Sequence, residues 1–488
     1  MNDWNVGKLL PAAFAGLVAL VAPGFATAGP GLVVGAVEDD VRASTLVDAE
    51  ARMTTFRLSG FRAVRVASFW TPGLTKPSDG ELTVLKNVAD AAARNGVRVY
   101  VTVMNPGSRT TPLTDEEHAD FASYTAAIVR GAPSIRHVII GNEPNLNRFW
   151  LPQFALNGSS AAPADYLALL AETYDALKGV SSDVTVYGGA VSPRGTDRPD
   201  GVRPTHSPTT FIQGMGAAYR ASGRTRPVMD VLSIHVYGDN SSVAPTIGHP
   251  IGTSIGVADY DKLVGLLGEA FDGTAQPGSD LPILYGEYGV ETEIPASKAS
   301  LYTGSEPTTT KPVSENTQAS YYRQALALAF CQPNVEGMLL FLSNDERARA
   351  AWQSGVHYVD GTPKSSRPRV KRALDRTTGG SITRCPGVEL PVQTTSLRFG
   401  TRSAAKRGVF RVSFSCDLDC RYWVRLEDAT THVTKLGRKG TAVVGEFRQI
   451  DLGTRRLRAG TYRYTLQIVH PVNPATPTVR AGPSFALP

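Results

Sequence analysis

The sequence predicts a (β/α)8 TIM barrel followed by a C-terminal all-β sandwich domain, and three observations carry that prediction. Short apolar runs of strand character recur eight times between Leu32 and Leu342, with helical periodicity between them. Two of these runs end in a glutamate: Ile139-Ile140-Gly141-Asn142-Glu143-Pro144 and, 144 residues on, Pro282-Ile283-Leu284-Tyr285-Gly286-Glu287. From about Ser396 the helical period gives way to strict alternation.

The chain begins with Lys8, an apolar run from Leu9 to Val21, and Ala26-Thr27-Ala28. Charge, hydrophobic stretch and small residues in that order are the pattern of a secretory signal over residues 1–28, with the mature chain starting near Gly29. An uncleaved anchor is the alternative, but Pro23 and Gly24 interrupt the run short of a bilayer span.

The eight strand candidates are Leu32 to Val37, Ala63 to Ala67, Val97 to Met104, His137 to Gly141, Val184 to Tyr187, Val231 to Val236, Ile283 to Tyr285 and Met338 to Leu342. Pro144 has no N–H to give a ladder, so the fourth strand is expected to stop at Glu143. Between strands two and three, Leu85, Val88, Ala89 and Ala92 repeat at i, i+3, i+4, i+7, and Asn95-Gly96 closes the helix. Further helices are expected at Glu116 to Val129, Ala164 to Leu177, Thr210 to Ala221, Asp259 to Phe271, Thr317 to Phe330 and Pro368 to Arg376.

Strands alternating with helices imply βαβ units and a parallel sheet. An open doubly wound sheet is the competing arrangement, but no G-x-G-x-x-G follows the first strand. Long insertions, Asp239 to Val257 and Glu291 to Ser314, follow strands six and seven, where a barrel shapes its binding cleft. The domain reading is 1–28 signal, 29–384 barrel, with a linker at Thr377 to Arg384, and 390–488 sandwich. Strands of the last part are expected at Val409 to Ser415, Tyr422 to Leu426, Val443 to Ile450 and Tyr462 to Val469.

The total charge of +6 is unevenly spread. Residues 386–488 carry 16 Lys and Arg against 7 Asp and Glu, a net +9, which leaves −3 on the rest. Nucleic-acid binding is therefore not expected of the barrel. The basic C-terminal part suits an anionic cell surface or polysaccharide, or is simply solvated. The four cysteines suggest bridges Cys416–Cys420 and Cys331–Cys385 in an exported chain; a zinc site is the alternative, without a second C-x-x-C or a nearby histidine pair.

Asn142-Glu143-Pro144 after strand four, His235-Val236-Tyr237 at strand six and Gly286-Glu287 at strand seven together resemble clan A of the retaining glycoside hydrolases, which includes cellulases, mannanases and β-xylosidases. The resemblance covers about Leu32 to Lys364. Arg65, in Val64-Arg65-Val66, looks like the arginine these enzymes place beside the nucleophile. Trp352-Gln353-Ser354-Gly355 and Asp360-Gly361-Thr362-Pro363-Lys364 resemble the way such barrels close. Met104-Asn105 and Phe341-Leu342-Ser343-Asn344 depart from the histidine and tryptophan common there, so no single family is implied.

The resemblance implies a secreted enzyme that cleaves O-glycosidic bonds by double displacement, with Glu143 as acid/base and Glu287 as nucleophile. That chemistry needs one carboxyl protonated and the other ionised, about 5 Å apart. Helix capping for Glu143 and a surface loop for Glu287 are the structural alternatives. Asn142 suits a substrate hydroxyl or a turn; Arg65 and Tyr237 suit the nucleophile, with His235 on the same wall, or His235 and Tyr237 are core residues. Trp70, Trp150 and Trp352 are candidates to stack on sugar faces, or to pack in the core. A carbohydrate substrate, no metal, no cofactor and a monomer are expected. Transglycosylation by the same intermediate and noncatalytic glycan binding are the rival functions.

Overall fold

In a computed structural model, residues 29, 31–249, 251–379, 398–399, 408–414, 420–442, 448–470, 473–482 and 484–487 are described. The expected signal segment, residues 1–28, lies outside them, as does most of the expected linker. Among the described residues, no helix is long and apolar enough to cross a membrane.

Eight parallel strands close into a barrel in sequence order: β1 Val33–Val37, β2 Ala63–Phe69, β3 Arg98–Met104, β4 His137–Ile140, β5 Thr185–Val191, β6 Val231–His235, β7 Ile283–Tyr288 and β8 Val335–Phe341. Closure is made by β1 against β8, with Val33 opposite Gly337 and Val37 opposite Phe341. Helices α1 Leu46–Leu58, α2 Asp79–Asn95, α3 Asp115–Gly131, α4 Ala162–Val180, α5 Pro208–Ala221, α6 Tyr260–Phe271, α7 Glu315–Cys331 and α8 Arg367–Thr378 surround it.

The helix ends follow local chemistry. Thr114 and Glu117 form a reciprocal capping box on α3, and Gly96 takes a left-handed φ of 61° to end α2 as its sequence foretold. The apolar faces of the helices and the outer faces of the strands form one continuous core. Inside the barrel, Val37, Ala63, Tyr100, Ile139, Tyr187, Val231, Leu284 and Leu339 make a second, enclosed layer. Its amino-terminal end is plugged by polar groups: Tyr187 donates to Glu336 Oε1 at 2.8 Å and meets His137 Nδ1 at 3.0 Å.

Sequence periodicity missed α1. Only Ala49, Met53 and Phe56 of its 13 residues are buried, a stripe too sparse to stand out beside Thr54 and Thr55.

The C-terminal part forms two antiparallel sheets. One has the order β13 (Arg448–Gly453), β10 (Val409–Phe414), β9 (Arg398–Phe399); the other has β12 (Thr434–Ala442), β11 (Cys420–Asp428), β14 (Gly460–His470), β15 (Asn473–Ala481), with β16 (Phe485–Leu487) also on β14. Phe410, Val412 and Ile450 face Val424, Tyr464 and Leu466 in one small core. Strand β12 was not legible in the sequence because its residues are mostly exposed, so nothing imposes alternation. Gly437 and Gly440 on it make room for Trp423 and Tyr422, whose rings crowd the space a Cβ would occupy.

Cys331 ends α7 and Cys420 begins β11, both buried, and neither is a free thiol. Cys385 and Cys416 lie outside the described residues, so the two expected pairings stand as proposals.

Candidate active site

Five strand ends meet at Arg65, whose side chain points into the carboxyl-terminal mouth of the barrel. Its Nε donates to Thr102 Oγ1 at 2.7 Å, Nη2 to Asn142 Oδ1 at 2.9 Å, and Nη1 to Glu287 Oε1 at 2.6 Å and to the Gly286 carbonyl at 3.2 Å. His235 Nε2 stands 3.5 Å from Nη1. Nδ1 lies 2.9 Å from Glu143 Oε1 and 3.3 Å from Glu287 Oε2.

Glu287 is held inside the sheet, one residue before the end of its strand, as the apolar run that ends in it suggested. Strand β7 runs to Tyr288, with register shifts against β6 at His235 and against β8 beyond Tyr285. Such irregularities turn a side chain relative to its neighbours, and here Glu287 is buried beside Arg65. The surface-loop alternative for Glu287 is therefore set aside. Both its oxygens are satisfied: Arg65 donates to Oε1, and Tyr237 to Oε2 at 2.8 Å. Burial alone would raise its carboxyl, but His235 and Arg65 beside it, with hydrogen bonds from Tyr237 and Arg65, hold it below the ordinary range. Burial and Glu287 push the Tyr237 hydroxyl well up, so it stays a donor.

Glu143 stands in a different setting. Strand β4 stops at Ile140, earlier than expected, because Gly141 turns the chain at φ 77°. Tyr166 fixes that turn: its hydroxyl donates to the Ile140 carbonyl at 2.6 Å and accepts from Gly189 N at 2.9 Å. A Cβ at Gly141 would sit 3.1 Å from its ring. Glu143 itself has φ 43°, a left-handed conformation costly for a non-glycine residue, held by its N–H to the Ala190 carbonyl at 2.8 Å. Its side chain is partly exposed, with His235 on one oxygen.

Oxygens of Glu143 and Glu287 and a nitrogen of His235 lie within 4.8 Å of one another. Three such atoms could ligate a cation, but the Arg65 guanidinium against Glu287 opposes a second positive charge there. Asn142 completes the cluster. Arg65 fixes its Oδ1 as acceptor, which leaves Nδ2 without a protein partner among the described residues and free to donate.

Of the three candidate tryptophans, Trp352 is at the site. Its ring lies 4.7 Å from that of Tyr237 and 5.3 Å from Phe341, partly exposed. Glu346 Oε2 accepts from its backbone N at 2.9 Å. The loop is pinned by a buried pair, Lys364 Nζ to Asp345 Oδ1 at 2.8 Å. Trp70 and Trp150 are 0% and 1% exposed and pack in the core, Trp70 on Phe121 and Trp150 on Tyr166. Neither has a face for a sugar.

Beside Tyr237 and Trp352 opens a cavity of about 250 Å³, also lined by Arg194, Asn240 and Glu291. Burial, foremost, pushes the Glu291 carboxyl up to about 7. Sequence reading singled out neither Arg194 nor Glu291 as a site residue. The signal was there in their places, after strands five and seven, on the face where barrels bind ligands.

No protein-family profile and no curated protein matches the sequence. Solved structures do. A β-glucuronidase 2 from Bacteroides uniformis matches at 12% identity and TM-score 0.45, over 94% of this chain and 46% of that one, so the chain spans about half its length. An exo-β-1,4-mannosidase from an Opitutaceae bacterium matches at 16% identity and TM-score 0.46, over 72% and 61%. A broad specificity endoglucanase from Clostridium longisporum matches at 12% and 0.47, over 72% and 97%. At these values the functional reading rests on the site's own geometry, and the chain's structural neighbours include glycosidases of differing substrate.

Proposed function

We propose that the protein is a secreted glycosidase that hydrolyses O-glycosidic bonds of a poly- or oligosaccharide with retention of configuration. The observation that carries this reading is the pair of carboxylates, Glu143 and Glu287, with oxygens within 4.8 Å and in unlike surroundings. Retaining enzymes hold their carboxyl groups about 5 Å apart, whereas inverting ones leave room for a water between.

In the first step Glu287 attacks the anomeric carbon while the bond to the leaving oxygen breaks and Glu143 gives that oxygen its proton. The product is a glycosyl ester on Glu287. In the second step Glu143, now a carboxylate, takes a proton from water, whose oxygen attacks the same carbon and expels Glu287. Two inversions leave the configuration unchanged. Arg65 and Tyr237 keep the nucleophile ionised and aimed, Asn142 Nδ2 is placed to meet a substrate hydroxyl, and Trp352 offers a ring to the sugar. Lys8, the Leu9–Val21 run and Ala26-Thr27-Ala28 support export.

A panel of aryl glycosides and polysaccharides tests the activity, and two variants test the roles. Glu287→Gly should abolish turnover. Glu143→Ala should still form the glycosyl-enzyme from a substrate with an activated leaving group but hydrolyse it slowly, and azide should restore turnover with a retained product. Azide that failed to rescue Glu143→Ala, or gave it the inverted product, would reverse or remove these assignments.

A further inference from the structure

On the outer wall of the barrel, α7 and α8 leave a groove of about 340 Å³ lined by Asn316, Ser320, Arg323, Arg369, Arg372 and Arg376. Four guanidinium groups face one space, and no carboxylate lines it. All four arginines are exposed. Arg369 donates to Asn316 Oδ1 at 2.9 Å, and among the described residues Arg323, Arg369 and Arg372 form no ion pair. Among the acids on these two helices, Asp375 is engaged with Lys371 at 2.7 Å, and Glu315 with Tyr358 and Ser365.

The arrangement works against the stability of α8. Arg369, Arg372 and Arg376 recur at i, i+3 and i+7 along one face, while Val370, Leu374 and Thr377 bury the other. Like charges at that spacing repel. The positive charge that the protein leaves unpaired on Arg323, Arg369 and Arg372 is matched by negative charge from outside, and guanidinium forks suit oxyanions. The concave shape between two helices does not fit a flat bilayer, and no aromatic ring lines it on which a nucleic-acid base could stack.

We infer that the α7–α8 groove is a noncatalytic binding site for a negatively charged glycan, one whose sugars carry carboxylate, sulfate or phosphate groups. The inference rests on the glycosidase reading only in taking the polyanion to be a saccharide. The groove lies outside the barrel mouth, so it would hold the polymer while the catalytic site works on another stretch of it.

Calorimetric titration of the full chain at low salt with polygalacturonate, dextran sulfate and neutral dextran tests this, since binding is read without turnover. The charged polymers should bind and the neutral one should not. Arg323→Gln with Arg372→Gln should weaken binding about tenfold or more, while Lys435→Gln with Arg438→Gln, which removes the same charge from exposed positions on β12, should change it less than about twofold. Hydrolysis of a small neutral aryl glycoside should be equal in both variants. Unchanged binding in the groove variant, or an equal loss in both, would overturn the site and leave the catalytic reading standing. Absence of glycosidase activity in the parent protein, with groove-dependent binding intact, would do the reverse.

Discussion

The Arg65 guanidinium lies 2.6 Å from Glu287 Oε1, and both side chains are buried. This contact joins strands β2 and β7 across the barrel mouth and makes an ionised carboxylate tolerable in a site where burial opposes it. The proposed nucleophile is thus also part of a structural pair. Removing either partner leaves a buried charge without its counterpart, at a cost of about 3 kcal/mol or more.

Arg65→Gln is accordingly expected to lower kcat/KM by about a hundredfold or more. Because Arg65 helps hold the Glu287 carboxyl below the ordinary range, its loss should also move the acid limb of the pH–rate profile to higher pH. A profile that fell in height without moving would show that Arg65 acts on folding alone.

A second expectation concerns stability and pH. Glu38 is buried after β1, accepts from Asp40 N at 3.1 Å and Asn344 N at 3.0 Å, and its carboxyl is pushed up from 4.5 to about 7, by burial first and Asp40 second. The folded protein binds this proton more tightly than the unfolded chain does. Its contribution is therefore full below 4.5 and lost as pH rises to about 7. Thermal melts should show stability falling between about pH 5 and pH 8, and falling less in Glu38→Gln; equal slopes would assign the loss to other groups.

The barrel and the C-terminal sheets have separate hydrophobic cores. Truncation near Arg384 should leave a folded barrel with nearly full activity on a small soluble substrate. Loss of the circular dichroism signal of the barrel helices would place the boundary wrongly.

The barrel was legible because parallel strands buried on both faces must be apolar runs, and the turns between them have their own residues, such as Asn95-Gly96. The two glutamates stood out for the same reason, as carboxylates where apolar runs end. Finer placement was not legible. Strand β7 continues through Glu287 by irregular pairing, and β4 stops short of Glu143 at a left-handed glycine; both depend on contacts with neighbouring strands and with Tyr166. The tryptophans show the limit most plainly. Trp70, Trp150 and Trp352 each follow a strand, and only tertiary packing decides that two fill the core and one faces Tyr237. Arg194 and Glu291 lie in loops with no periodic signal, and only the fold brings them to one cavity.

The most direct test of double displacement is the configuration of the first-formed product, followed by proton NMR during wild-type hydrolysis of an aryl glycoside before mutarotation sets in. Attack by Glu287 followed by water predicts that the anomeric proton of the new hemiacetal first appears with the coupling of the substrate's own configuration. First appearance of the opposite anomer would mean a single displacement by water, and would contradict the roles of Glu287 as nucleophile and Glu143 as acid/base.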